Sequence, residues 1–259
     1  MPRANFKRKY ARNSGKLYKR RRVMSPSYRR RRIGAGYTGK AKMYKQIALK
    51  LAESKENFKN LVFTGGTGNA FYHDTLYRCN LHSKTDDSGV FRIAAGTSIV
   101  NRVGQKVFST GIRVRGLFSV PWDRRNTKVK MWLVEYNSAQ GSVTTYNDFF
   151  RNATGNGMLD TVNNEKFKRV KLLRQLRLTG RDLNHDNAAG ALGTLYYDIW
   201  IPFKRTLTWD TSSESAPCGG VSEYLTLVIL PYDAPATQTL DILLTSGHEQ
   251  CVTWYFKDP

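Results

Sequence analysis

The stretch Gly96–Val120, GTSIVNRVGQKVFSTGIRVRGLFSV, decides how the rest of the chain is read. It opens with Gly96-Thr97, turns through Asn101-Arg102-Val103-Gly104, and then alternates. Ile112, Val114, Phe118 and Val120 fall on one face, while Arg113, Arg115 and Ser119 fall on the other. A period of two is what a half-buried strand requires, because successive side chains leave opposite faces of a sheet. Gly104, Gly111 and Gly116 weaken a helix but suit turns, bulges and bends at a sheet corner. The chain before this stretch is basic and poor in strands, and the chain after it reads as further strands.

Working outward, a first strand is expected over residues 76–84, ended by the turn Asp86-Asp87-Ser88-Gly89. Val129–Tyr136 (VKMWLVEY) is a strand with Trp132 and Tyr136 on one face. Residues 137–165 form a polar excursion carrying an aromatic patch at Tyr146, Phe149 and Phe150. Residues 166–179 admit two readings. A strand puts Val170, Leu172, Leu176 and Leu178 opposite Arg169, Lys171 and Arg177, whereas a helix lines up Phe167, Val170, Leu173 and Leu176. The strand is preferred because its neighbours are strands. Residues 195–209 give the longest alternation, with Arg205 interrupting the apolar face and Pro202 opposite it, as at an edge or a bend. Strands over 224–230, 240–244 and 251–257 complete the set, with Ser246-Gly247 turning between the last two. Met43–Val62, free of Pro and Gly, reads as a short helix or two. Eight strands with long, uneven connections and no alternating helices predict an all-β protein, a single eight-stranded jelly roll or Greek-key β-sandwich.

Charge divides the chain. Residues 1–42 hold 16 of the 42 Lys and Arg and none of the 20 acids, leaving 26 cations against 20 acids, a net +6, for residues 43–259. Lys7, Arg8 and Lys9 precede two dense clusters, Lys19-Arg20-Arg21-Arg22 and Arg29-Arg30-Arg31-Arg32. Like charges this close repel, and almost no apolar stripe offsets the cost of ordering, so residues 1–42 are expected to be a disordered basic arm. Tyr10, Tyr18, Tyr28 and Tyr37 lie among the cations, suited to stacking on unpaired bases while the cations meet phosphates. The two clusters also have the spacing of a bipartite nuclear localisation signal, which implies a nuclear import receptor as a partner. Gly34–Lys40 matches GxxxxGK, but Ala41 stands where a phosphate loop needs Ser or Thr, and arginines rather than a buried strand precede it.

Catalysis finds little to stand on. His73, His82, His185 and His248 do not pair at metal spacing, and no GxSxG elbow occurs. His73-Asp74 and His185-Asp186 read as surface histidines beside carboxylates. Cys79, Cys218 and Cys251 are odd in number and scattered, which argues against a disulfide framework or a zinc site. The reading is therefore a non-enzyme without metal or cofactor. No apolar run is long enough to span a membrane, so no membrane partner is expected. In the body, Arg113 and Arg115, Lys128 and Lys130, and Arg169, Lys171 and Arg177 recur at twos along strands. Such cations can contact phosphate without reading sequence, as a wall lining an interior filled with nucleic acid would. A solvated outer sheet face is the alternative.

A Gly-Thr/Ser turn, then Asn/Gln-Arg-x-Gly, then a basic alternating strand resembles the first conserved block of coat proteins from small circular single-stranded DNA viruses of the circovirus and geminivirus kind. Gly96–Val120 carries that block, and the basic arm and the aromatic C-terminal TWYFKDP belong to the same pattern. The resemblance implies a jelly-roll capsid body, a virion location with passage through the host nucleus, and single-stranded DNA as partner. It further implies a homo-oligomer, of about sixty copies in the simplest icosahedral shell. Such a shell would bring on the order of a thousand arm cations to a genome of roughly one to a few thousand nucleotides. The coat of a small RNA or satellite virus and a cellular nucleic-acid-binding protein remain the alternatives.

Overall fold

A computed structural model of the chain describes residues 26–64, 70–84, 89–98, 100–121, 124, 126–140, 143, 145–151, 156–177, 192–210, 218–233 and 242–258. It divides into two compact units, Met1–Ile47 and Ala48–Pro259. Helix α1 (Pro26–Leu51) supplies the described part of the first unit. Proline is tolerated at the opening position of a helix, where its missing N–H would have no intrahelical partner. The disordered arm expected to reach residue 42 is thus helical from Pro26 onward, through the Arg29–Arg32 cluster. Residues 34–40 accordingly form helix and not a phosphate-cradling loop.

The second unit is a β-sandwich. Its strands are β1 (Glu53–Asn60), β2 (Phe71–Tyr72), β3 (Tyr77–Ser83), β4 (Lys106–Pro121), β5 (Lys128–Tyr136), β6 (Arg169–Arg177), β7 (Leu192–Thr208), β8 (Tyr224–Tyr232) and β9 (Ile242–Asp258). One antiparallel sheet runs β1-β9-β4-β7, with β2 added to β9; the other runs β3-β8-β5-β6. From Lys106 onward the stretch Gly96–Val120 forms β4, a 16-residue strand that pairs with β7 on one side and β9 on the other. Its register shifts between Ser109 and Gly111, where Thr110 is an extra residue against β9. Among the described strands β7 has β4 as its one neighbour, so it is the edge strand that Pro202 requires.

Two expectations are corrected here. The helix read over Met43–Val62 ends at Leu51, and Glu53–Asn60 is strand β1, antiparallel to β9. Alternation in β1 was invisible because its inward positions are polar. Lys55 is buried beside Asp258 and donates to the Asn101 carbonyl at 3.1 Å, while Asn57 Nδ2 donates to the Val90 carbonyl at 2.9 Å. Secondly, the strands expected at 240–244 and 251–257 are one strand, β9. Leu117 faces Glu249 and Ser119 faces Thr245, so Ser246-Gly247 falls in a bulge of a continuous strand and makes no turn.

The core lies between the sheets. Ile112, Val114, Phe118, Val252, Trp254 and Phe256 from the first sheet meet Val129, Met131, Leu133, Leu225, Leu227 and Ile229 from the second, all essentially inaccessible. A second apolar cluster lies on the far side of the second sheet. There Trp132, Val134, Tyr136, Val228 and Leu230 are covered by Phe149, Phe150 and Phe167 from the excursion after β5. Arg205, the residue that breaks the apolar face of β7, reaches across to β5. Its Nη1 and Nη2 donate to Glu135 Oε1 and Oε2 at 2.6 and 2.7 Å, and Ser222 Oγ donates to Oε1 at 3.2 Å. Burial alone would raise the Glu135 carboxyl, but Arg205 and Ser222 outweigh it and hold it below its usual range.

Arg102, from the polar turn before β4, is likewise buried, and burial lowers its pKa. It donates from Nε to the Ile93 carbonyl at 3.3 Å and from Nη1 to the Gly104 carbonyl at 2.9 Å, with its guanidinium 4.9 Å from the Trp209 ring centroid. The motif arginine therefore fastens the loop to the sandwich.

Candidate nucleic-acid interface

The cations singled out in the body do not share one surface. Arg113 and Arg115 lie on the outer face of the first sheet, between the inward Ile112, Val114 and Gly116. Lys128 and Lys130 alternate with the core residues Val129 and Met131, so they lie on the outer face of the second sheet, on the opposite side of the sandwich. Strand β6 is split by a bulge. Met131 faces Arg174 and Trp132 faces Leu172, leaving Leu173 as the extra residue. Residues before and after it therefore change faces. Val170 packs with the outer cluster while Leu173 and Leu176 pack with the inner one, and Arg169 and Lys171 do not align with Arg177. The single basic face read for β6 is replaced by two.

Lys130 is taken up by the fold. Its ammonium donates to the Gly157 carbonyl at 3.2 Å and to the Met158 carbonyl, and lies 5.9 Å from the Trp132 ring centroid. Burial pulls its pKa down, although Asp160 and Asp74 oppose that. His73 and Asp74, expected at the surface, are buried instead. His73 Nδ1 accepts from the Asp233 N–H at 3.2 Å, and Asp74 Oδ1 accepts from the Gly157 N–H at 2.9 Å, so the pair anchors loops. Cys79 and Cys218 are buried free thiols, each pushed up to about 12 by burial. Among the arm cations, Lys7 to Arg22 lie outside the described residues, as do His185-Asp186 and Asp86-Asp87. Arg29–Arg32 are placed only as helical backbone.

What remains is the outer face of the first sheet, to which β1, β9, β4 and β7 contribute alternate residues. Its charges are Lys106, Arg113, Arg115, Lys204 and Lys257 against Glu56, Asp198 and Glu249. Arg113 forks onto Asp198, with Nε to Oδ1 at 3.0 Å and Nη2 to Oδ2 at 2.5 Å. Arg174 from β6 donates to the Asp198 carbonyl at 3.2 Å. The Arg113 fork holds the Asp198 carboxyl below its usual range, and Arg115 and Arg174 add to the effect. Asp198 offsets one of these charges and fixes its geometry, so Arg115 and Arg174 are the cations of the group that it leaves in excess.

Aromatic rings stand among these charges. Phe58 is 64% exposed, Tyr196 61% and Trp200 51%, and Phe108 and Tyr255 are half-buried on the same face. Sequence reasoning assigned stacking only to the arm tyrosines and passed over these residues. The signal was present in β7, where the outward positions Tyr196 and Trp200 carry rings that the buried alternation of Leu195, Tyr197, Ile199 and Ile201 leaves without a core to enter. Cations with open rings on a sheet are able to bind a single strand of nucleic acid, the charges against phosphates and the rings against bases. No family model matches the chain, and no curated protein matches it in sequence.

Proposed function

We propose that the chain is the coat protein of a small circular single-stranded DNA virus, forming an icosahedral shell around its genome. The observation that carries this reading is the strand order. With the two-residue β2 set aside, eight strands remain, and the sheets run first-eighth-third-sixth and second-seventh-fourth-fifth. That order, in which the first strand pairs with the last and each sheet alternates between early and late strands, supports a jelly roll of two interlocked Greek keys, an architecture common in viral capsids. The Gly96–Val120 block and the basic arm support the same assignment.

The mechanism is electrostatic and needs no catalytic step. Arm cations replace counterions along the strand, and shell closure, with about sixty copies in the simplest case, concentrates the arms around the genome. Before assembly the paired clusters of the arm engage an import receptor, and binding to genome inside the shell then hides them. Electron microscopy of the purified protein tests the reading directly. Closed particles of uniform size, containing nucleic acid that DNase and not RNase degrades once the shell is opened, are expected. Protein that stays monomeric under all assembly conditions refutes it, and RNase-sensitive contents reassign the genome.

A further inference from the structure

We propose that Trp200 is a stacking platform for an unpaired nucleobase, so that the outer face of the first sheet selects single-stranded over duplex nucleic acid. This deepens the packaging reading and rests on it. The indole is held flat. A β-carbon at Gly111 would collide with Cζ2, Cη2 and Cε2 of the Trp200 ring alike, so the face of the six-membered ring covers the glycine backbone. The central strand thus lacks a side chain where the indole is seated, yet half of the tryptophan stays in solvent. A tryptophan serving only the fold would bury that surface.

The surroundings fit a base. Tyr255 stands beside the indole with ring centroids 5.5 Å apart and planes at 54°, walling one side. Ser54, Thr110, Arg113 and Asp198 complete a concavity of about 530 Å³ with these two rings. The Arg113–Asp198 fork presents donors and carboxylate oxygens at the edge of the platform, the groups that read the hydrogen-bonding edges of bases. Arg115 lies one outward position, about 7 Å, from the Arg113–Trp200 pair on one side, and Lys204 lies two outward positions, about 13 Å, from Trp200 along β7 on the other, where a backbone crossing the sheet would bring its phosphates. Tyr196, also outward on β7, is four residues or about 13 Å from Trp200 and offers a second ring to a continuing strand. A duplex has its bases already stacked on each other and could use only the cations.

The test uses the full chain and two labelled probes, an oligothymidylate and a duplex of equal length, titrated by fluorescence anisotropy across a salt series. W200A is expected to weaken oligothymidylate binding about five- to 150-fold per stacked base while the salt slope and duplex affinity stay unchanged. W200F, which keeps a ring, is expected to retain most of the affinity. W200L covers Gly111 without a π face and should bind as W200A does; it carries the test if W200A does not fold. Unchanged oligothymidylate affinity in W200A, or equal losses for both probes, overturns the platform and leaves packaging standing. A wild-type chain that binds neither probe at any salt overturns the packaging reading itself.

Discussion

Replacing Arg205 with methionine isolates the ion pair that joins the two sheets. Glu135 is 1% exposed at its side chain, whereas Arg205 is 28% exposed, so the two partners lose different things when separated. In R205M the carboxylate keeps its donors from Ser222 but loses both charged hydrogen bonds. Breaking a buried pair in this way costs about 3–5 kcal/mol, a large part of the roughly 5–15 kcal/mol that holds a domain folded. The packing of the Arg205 guanidinium on Phe203, 4.7 Å from the ring centroid, is largely retained by the methionine thioether. The sign with pH follows. In the wild type the Glu135 pKa is depressed, so its contribution is present above the unfolded value and is lost as pH falls through the folded one. In R205M burial is left to raise the folded pKa, so the penalty is full near neutrality and shrinks as acid protonates the carboxyl. Urea unfolding of wild type, R205M, E135Q and the double variant at pH 7 and near pH 4.5 measures this. The double variant is expected to lose less than the two single changes combined. A cost below about 0.5 kcal/mol for R205M at pH 7, or a cost that grows in acid, would refute the reasoning.

His82 adds a second pH dependence. Burial, with Arg92 and Lys84 nearby, pushes its pKa down to about 4. The unfolded chain then binds the proton first, and stability present above about pH 6.5 falls as pH drops towards 4, by about 3 kcal/mol. His82→Leu should flatten that segment of the pH–stability curve, and parallel wild-type and variant curves would count against it. On β4, Phe118→Ala should cost about 3–5 kcal/mol because Phe118 is fully buried, while Arg113→Gln and Arg115→Gln should stay within about 0.5 kcal/mol. Thermal unfolding decides, and the opposite ranking would invert the face assignment. Neutralising Arg20, Arg21, Arg22, Arg29, Arg30, Arg31 and Arg32 together should reduce the slope of log affinity against log salt by up to about 5. An unchanged slope would move phosphate binding to the body.

Where apolar side chains alternate with polar ones, the sequence was a good guide. The inward faces of β4 and β7 lie where periodicity puts them, and the ambiguous segment before Thr179 is strand because it completes a sheet. Reading failed where the inward residue is itself polar, as at Lys55 and Asn57 of β1, since burial there is compensated by hydrogen bonds that no hydropathy pattern reveals. It failed again at bulges. Leu173 shifts the face of every residue beyond it, and Ser246-Gly247 looks like a turn but interrupts one strand. The candidate site shows a different limit. Alternation tells inside from outside within one strand, but it cannot tell which of two sheets that strand joins. Arg113 and Lys130 thus look equivalent in sequence, although they occupy opposite sides of the sandwich.

That separation gives the two outer faces different roles. On the second sheet, residues after β5 return to cover Trp132 with Phe149 and Phe150, and Lys130 is spent on the Gly157 and Met158 carbonyls. Its ammonium holds the cover in place and spends its hydrogen bonds there. On the first sheet three rings stay half or more exposed beside Arg115 and Lys204. Exposed aromatic surface in water is a cost to an isolated subunit, and a ligand that stacks on it removes the cost. A shell has one interior side, so only one outer face of each sandwich can line it. In the proposed shell the first sheet suits that position, because its open rings lie there beside Arg115 and Lys204, whereas Trp132 and Lys130 of the second sheet are taken up by its own cover.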